Sequence, residues 1–231
     1  MSHTNESSKS SITDLSGIQA IIWDLDGTLY RFDEDFLVAC NHAAAKAAIH
    51  LGVPLNLDEA VEFAWQSHAQ TGQSILHFLR DYEIKVEQMH DVYHELIDEK
   101  LIKTAVQTRF LFQSLELPQI IITHASKDWA ARVLVHLGLK EYFPDTHILG
   151  KEDYQFQSKC SSPLSFDMGL EILGVKPEAV VVVEDTVKNL KIAADKNMHT
   201  ALLHYGRPPK PMPSYVDFDF NNVNELLGQL I

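Results

Sequence analysis

The stretch Asp24-Leu25-Asp26-Gly27-Thr28 sets two carboxylates two positions apart at the end of a short apolar run, Ala20-Ile21-Ile22-Trp23. That spacing suits a division of labour in phosphate-ester chemistry. Asp24 can attack phosphorus as a nucleophile. Asp26 can protonate the leaving oxygen as an acid and then deprotonate the hydrolytic water as a base. Gly27 lets the backbone turn sharply beside a phosphate. Taken alone, the same Asp-Gly pair serves equally well as an Asx turn closing a strand.

Two further polar features follow in a coherent order. Thr123 ends the run Ile120-Ile121-Ile122 and offers a hydroxyl to a phosphoryl oxygen. Glu184 and Asp185 end the run Val180 to Val183 as adjacent carboxylates, the kind of oxygen donors that Mg²⁺ prefers. Adjacent buried acids are costly without a cation, so a metal is the expected partner. His90 and His94 stand four apart on an expected helix, but the HExxH order is absent and a solvated helix face is the expectation.

These residues need a scaffold, and the apolar runs supply it. Each reads as a buried strand of a parallel sheet, and each ends in a polar group at its carboxyl end, where open α/β sheets gather their ligand sites. Helical stretches separate them: Ala130 to His136 before Gly138, and Ser165 to Leu173 before Gly174, each glycine fitting a C-terminal cap. That alternation predicts a doubly wound, Rossmann-like α/β core. From Asp33 to Lys103 no comparable strand occurs, but Met89, Val92, Tyr93, Leu96 and Ile97 recur at helical spacing. The expected organisation is a core of residues 17–32 and 104–231 carrying a helical cap at 33–103, poised to exclude water from the crevice. Phe63, Trp65 and Phe78 are expected to pack that cap, with a loop near Gly72-Gln73 toward the substrate. Arg207 to Pro213 reads as a Pro-rich surface loop, and a last strand and helix follow Tyr215.

At 231 residues the chain has room for one domain with a smaller insertion. Its 32 acidic and 19 basic side chains give a formal charge of −13, a field that repels nucleic acids and anionic membranes. The expected partner is therefore a small molecule, and a bound phosphate needs local positive charge. No apolar run approaches the ~20 residues of a membrane-spanning helix, and the opening MSHTNESSKSS lacks a signal's apolar centre, so a cytoplasmic location is expected. Residues 1–16 read as a disordered tail. Cys40 and Cys160 form no CxxC pattern, which argues against a disulfide framework or structural zinc.

The motif Asp24-Leu25-Asp26-Gly27-Thr28-Leu29 after an apolar strand resembles the haloacid dehalogenase superfamily of phosphotransferases, and the resemblance runs from about Ile21 to the C-terminus. Ala131 to Leu139, and Glu184-Asp185-Thr186 with Asn189-Leu190, are similar to its pyrimidine 5′-nucleotidase-like branch. The resemblance implies Asp24 as nucleophile and metal ligand, and Asp26 as acid/base with its backbone carbonyl on Mg²⁺. It implies Thr123 as phosphate binder and Glu184 with Asp185 as the acidic metal motif. Where the family has Asn after Thr, this chain has His124, a candidate substrate contact.

The family also needs a lysine to neutralise the nucleophile and the transferring phosphoryl group. Its usual Lys-Pro-x-Pro setting is matched here by Ser158-Lys159-Cys160-Ser161-Ser162-Pro163, before Phe166 opens a helix. Lys159 is the expected residue and Lys151 the reserve, while Lys210 falls after the acidic motif. Tyr30 and Arg31 leave the core for the cap, as substrate contacts or as a hinge. The implied activity is Mg²⁺-dependent hydrolysis of a small phosphomonoester, such as a nucleoside 5′-monophosphate. A sugar phosphomutase or a non-catalytic phosphate binder would use the same residues. A dehalogenase would have no use for Asp26, and a signalling receiver places its acidic pair on the first strand.

Overall fold

The computed structural model of the protein describes residues 14–231. Among them six strands form one parallel sheet: β1 (Ala20–Trp23), β2 (Gln119–Ile122), β3 (Ile148–Leu149), β4 (Val180–Glu184), β5 (His199–Leu203) and β6 (Phe218–Phe220). Their spatial order is β3-β2-β1-β4-β5-β6, every pair parallel. The chain winds from β1 outward to β3, then crosses over to β4 on the other side of β1. The winding direction changes between β1 and β4, the place where such sheets open a crevice at their carboxyl ends. This is the doubly wound α/β fold that the three apolar runs predict.

Alternation along the central strands divides the core into two layers. Ile21, Trp23, Ile121, Val181 and Val183 face one cluster with Phe112, Trp129 and Leu226. Ala20, Ile22, Ile120, Ile122, Val180 and Val182 face another with Phe166 and Leu190. The first layer holds α5 (Val106–Ser114), α6 (Lys127–Leu137) and α9 (Val223–Leu230), and the second α7 (Leu164–Leu173) and α8 (Val187–Asp195). Gly138 and Gly174 cap α6 and α7 in the left-handed conformation, as their positions after apolar periodicity suggest.

Between β1 and α5 lie α1 (Glu34–His50), α2 (Leu57–Thr71), α3 (Leu76–Asp81) and α4 (Val86–Glu95), and no strand among the described residues. They pack a third cluster around Ala44, Ala48, Ala60, Ala64, Phe78 and Met89. Phe63 and Phe78 meet there with ring centroids 4.9 Å apart, while Trp65 is only half-buried. A reciprocal box between Asn56 and Glu59 starts α2. Helix α1 joins the layers, because Phe36, Cys40 and Ala43 near its start belong to the sheet's cluster and its later alanines to the third.

Three features differ from the sequence reading. Strand β3 is too short to show a period, and β5 (His-Thr-Ala-Leu-Leu) lacks a β-branched run; only their pairing with neighbours makes them strands. The expected tail lies mostly outside the described residues, and within them Leu15 is already buried in the core. Helix α7 begins at Leu164, two residues before Phe166.

Phe112 is fully buried and touches the rings of Trp23, Tyr142 and Phe143 at 5.6 to 5.9 Å. Phe112→Ala should lower the unfolding free energy by about 3–5 kcal/mol, read as a lower urea midpoint at unchanged slope.

Candidate active site

The carboxyl ends of β1, β2 and β4 bring together residues that are far apart in sequence. Asp24 leaves β1 with its backbone N–H on the Val183 carbonyl, 2.9 Å away. The Lys159 ammonium reaches back under it, 2.5 Å from Asp24 Oδ1 and 2.7 Å from Glu184 Oε1, and donates to the Ile122 carbonyl at 3.0 Å. Burial works against the charge on Lys159, but the Asp24 and Glu184 carboxylates hold its pKa well above the ordinary lysine value. Of the three lysines weighed from sequence, Lys159 reaches the nucleophile candidate. Lys151 lies elsewhere on the cavity wall, and Lys210 is exposed in its loop. Thr28 Oγ1 donates to the other oxygen, Asp24 Oδ2, at 3.0 Å.

Asp26 is held differently. Its Oδ1 accepts from both the Tyr30 hydroxyl and, at 2.9 Å, the Trp129 indole N–H. Its Oδ2 faces Thr123 Oγ1 at 3.4 Å. Burial pushes the Asp26 carboxyl up, against the pull of these donors. Tyr30 is thus a buried partner of Asp26, and its neighbour Arg31 is exposed. Thr123 directs its hydroxyl to the site while its carbonyl accepts from the Tyr154 hydroxyl.

Asp24, Glu184 and Asp185 place a carboxylate oxygen each within 4.8 Å of one another. Glu184 is held by Lys159, by the Asn189 side chain at 2.7 Å and by the Thr186 N–H at 2.8 Å. Asp185 packs against Gly27. With φ at +86°, Gly27 adopts a conformation that suits glycine, and a β-carbon there would lie 2.2 Å from Asp185 Oδ2. Burial and the Glu184 charge push Asp24 up to about 7, against Lys159, and the same causes push Asp185 well above the carboxylate range. One ammonium among these acids leaves negative charge in excess, and an all-oxygen donor set fits Mg²⁺.

A family model for haloacid dehalogenase-like hydrolases matches residues 18–195. The chain belongs to this hydrolase family. The phosphoglycolate phosphatase of Neisseria gonorrhoeae is 30% identical over 188 residues, 77% of this chain and 75% of that protein. The phosphoglycolate phosphatase of Chromobacterium violaceum is 25% identical over 209 residues, 83% of this chain and 87% of that one. The fold is that of the solved HAD hydrolase of family IA from Entamoeba histolytica, with a TM-score of 0.65 at 20% identity over 92% of this chain and 99% of that one.

In this haloacid dehalogenase-like hydrolase a cavity of about 450 Å³ opens above the carboxylates, between the sheet's carboxyl ends and helices α1, α2 and α4. Gly72 and Gln73 line it, as expected for that loop. His90 and His94, expected on a solvated face, are instead buried and line the cavity, because α4 turns that face inward. His124 lines it too, but its Nε2 accepts from the Lys159 backbone N–H at 3.0 Å, so the ring also anchors the lysine loop. Trp129 was beyond sequence reasoning. It lies on the first turn of α6, and only the packing of α6 against β1 aims its indole at Asp26.

The carboxyl shifts have a pH consequence. Asp24 and Asp185 titrate above the unfolded value near 4, so in metal-free protein the stability they contribute is present below that value and lost as pH rises, through about 7 for Asp24. Burial holds His94 down to about 3 and His90 and His124 below their ordinary value, so their share runs the other way, lost as pH falls below about 6.5. Protons compete with a cation for the carboxylates alone. The rise in Tm on adding Mg²⁺ should therefore be larger at pH 8 than at pH 6, measured as the difference between scans with and without metal. An equal rise at both values would contradict the shifts.

Proposed function

We propose that this protein is a magnesium-dependent phosphatase that hydrolyses a small phosphomonoester through an aspartyl-phosphate on Asp24. Its family and its relatives make it a phosphoric monoester hydrolase. The observation that carries the reading is Asp26, a second buried carboxyl oriented by Tyr30 and Trp129 beside Asp24. A phosphate ester needs a proton for its leaving oxygen, and a carbon–halogen bond does not.

Asp24 attacks phosphorus, the ester P–O bond breaks, and the leaving oxygen takes the proton of Asp26. With two donors on Oδ1, that proton belongs on Oδ2, and burial favours the protonated form. Asp26, now a carboxylate, removes a proton from water as the water attacks the phosphoryl group, and Asp24 is released with inorganic phosphate. Lys159 opposes the charge on Asp24 throughout, and Thr123 Oγ1 offers a hydrogen bond to a phosphoryl oxygen. Asp24, Asp185, Glu184 through its network and the Asp26 carbonyl are the groups that would hold Mg²⁺, which when bound neutralises charge on the phosphoryl oxygens. Helices α1 to α4, within residues 33–103, act as the cap that keeps bulk water from the intermediate.

Two ester classes have support. Relatives named phosphoglycolate phosphatase favour a short phosphorylated acid. The aromatic wall of Phe32, Phe36, Tyr93 and Trp129 favours a nucleoside 5′-monophosphate, as the branch resemblance does.

Purified protein should release phosphate from an alkyl ester only with Mg²⁺, and Asp24→Asn should release none. Asp26→Asn should slow alkyl esters by roughly 10²- to 10⁴-fold and an aryl phosphate, whose leaving group needs less help, by far less. Equal slowing of both would remove Asp26 from the acid role. Assays over phosphoglycolate, nucleoside monophosphates and sugar phosphates rank the substrates, and a requirement for a sugar bisphosphate would turn the reading to a mutase.

A further inference from the structure

Lys151 takes no part in the chemistry above, but its setting is unusual. It follows β3 through Gly150, where a β-carbon would lie 2.3 Å from the Lys127 backbone nitrogen, so the tight turn that delivers Lys151 depends on glycine. Its backbone N–H is tied to the Ala125 carbonyl at 2.9 Å. The side chain is 8% exposed and lines the same cavity as Asp24. Among the described residues no carboxylate lies within 4.0 Å of the ammonium and no hydrogen-bond acceptor meets it; the group acting in favour of its charge is the Cys160 thiol. A lysine buried this deeply without a counter-charge is costly, and an anion in the cavity would offset that cost.

His90 stands beside it in the same condition. It is 2% exposed, and neither ring nitrogen has a hydrogen-bond partner. The Asp91 carboxylate stays 3.9 Å from Nδ1, and the His124 backbone carbonyl acts on the ring without closing a bond of normal geometry. Lys151 acts electrostatically on His90, His94 and His124; Lys159 and Lys188 act on His124 as well, and the Glu152 carboxylate acts on His90. Lys151 and His90 line the same cavity as Asp24 and Thr123, so one short molecule seated there can meet both.

We propose that Lys151, with His90, seats a carboxylate carried by the substrate at the end remote from its phosphoryl group. The substrate is then a short phosphorylated carboxylic acid. Lys151 is the buried ammonium of this wall, Lys188 lines the cavity from an exposed position, and the Glu152 carboxylate already acts on His90, a balance that matches a monoanion better than a second phosphate. This inference rests on the phosphatase reading for the position of the phosphoryl end, and names what the opposite end must carry.

A phosphonocarboxylic acid and its uncharged methyl ester, neither hydrolysable at the C–P bond, test the seat by calorimetry on the full chain with Mg²⁺. The parent should bind the acid more tightly than the methyl ester. Lys151→Met should weaken the acid roughly 10- to 100-fold while narrowing the difference between the two, and Lys151→Arg should keep the preference. His90→Phe should reduce the same preference by a smaller factor. A bisphosphonate bound more tightly than the acid by the parent would overturn the carboxylate assignment. Equal binding of acid and methyl ester, or equal loss of both in Lys151→Met, would overturn the seat itself. Turnover is scored separately: if no ester is hydrolysed but the acid preference depends on Lys151, the phosphatase reading fails and the anion seat stands.

Discussion

The ion pair of Lys159 with Asp24 and Glu184 is the interaction on which the rest of the site depends. Its three groups come from the ends of two strands and from a loop 135 residues beyond Asp24, and all are nearly excluded from water. Breaking such a pair leaves a buried charge uncompensated, at a cost of roughly 3–5 kcal/mol. The ammonium also donates to the Ile122 carbonyl, so one side chain ties the ends of β1, β2 and β4 together. The lysine loop is held in turn by His124, which accepts its backbone N–H. Charge compensation and the alignment of strand ends are therefore one arrangement.

The change of winding direction at β1 makes that arrangement possible. With β2 on one side of β1 and β4 on the other, three polar strand ends converge on one point without any long loop. Gly27 allows the closest approach, letting Asp185 press against the turn that carries Asp26. Burial first, and the excess of acids over their one cationic partner second, raise the carboxyl pKa values there.

Above this centre the cavity has a different character. Asp26 is fixed by an aromatic pair, Tyr30 from the exit of β1 and Trp129 from α6, and the Phe36 ring of α1 stacks on Trp129 with planes 14° apart. The inserted helices thus touch the residue that orients the acid/base carboxyl. Further from the centre, buried histidines and Lys151 line the wall, so the cavity separates a strongly acidic floor from a weakly basic side.

Local order was legible in the sequence. Strands buried on both faces must be continuously apolar, so β1, β2 and β4 announce themselves, and their polar ends mark Asp24, Thr123, Glu184 and Asp185. Helix periods and glycine caps locate α6 and α7 to within a few residues. Lys159 was found only through a family spacing, since its own neighbours have no pattern that demands a buried lysine. Strands β3 and β5, the inward turn of His90 and His94, the indole of Trp129 on Asp26 and the unpaired Lys151 were decided by tertiary structure. Each depends on which surface is covered by elements distant along the chain. Periodicity reports that a residue shares a face with its neighbours three or four positions away, but packing across the sheet and the inserted helices decides whether that face meets water, a carboxylate or the cavity.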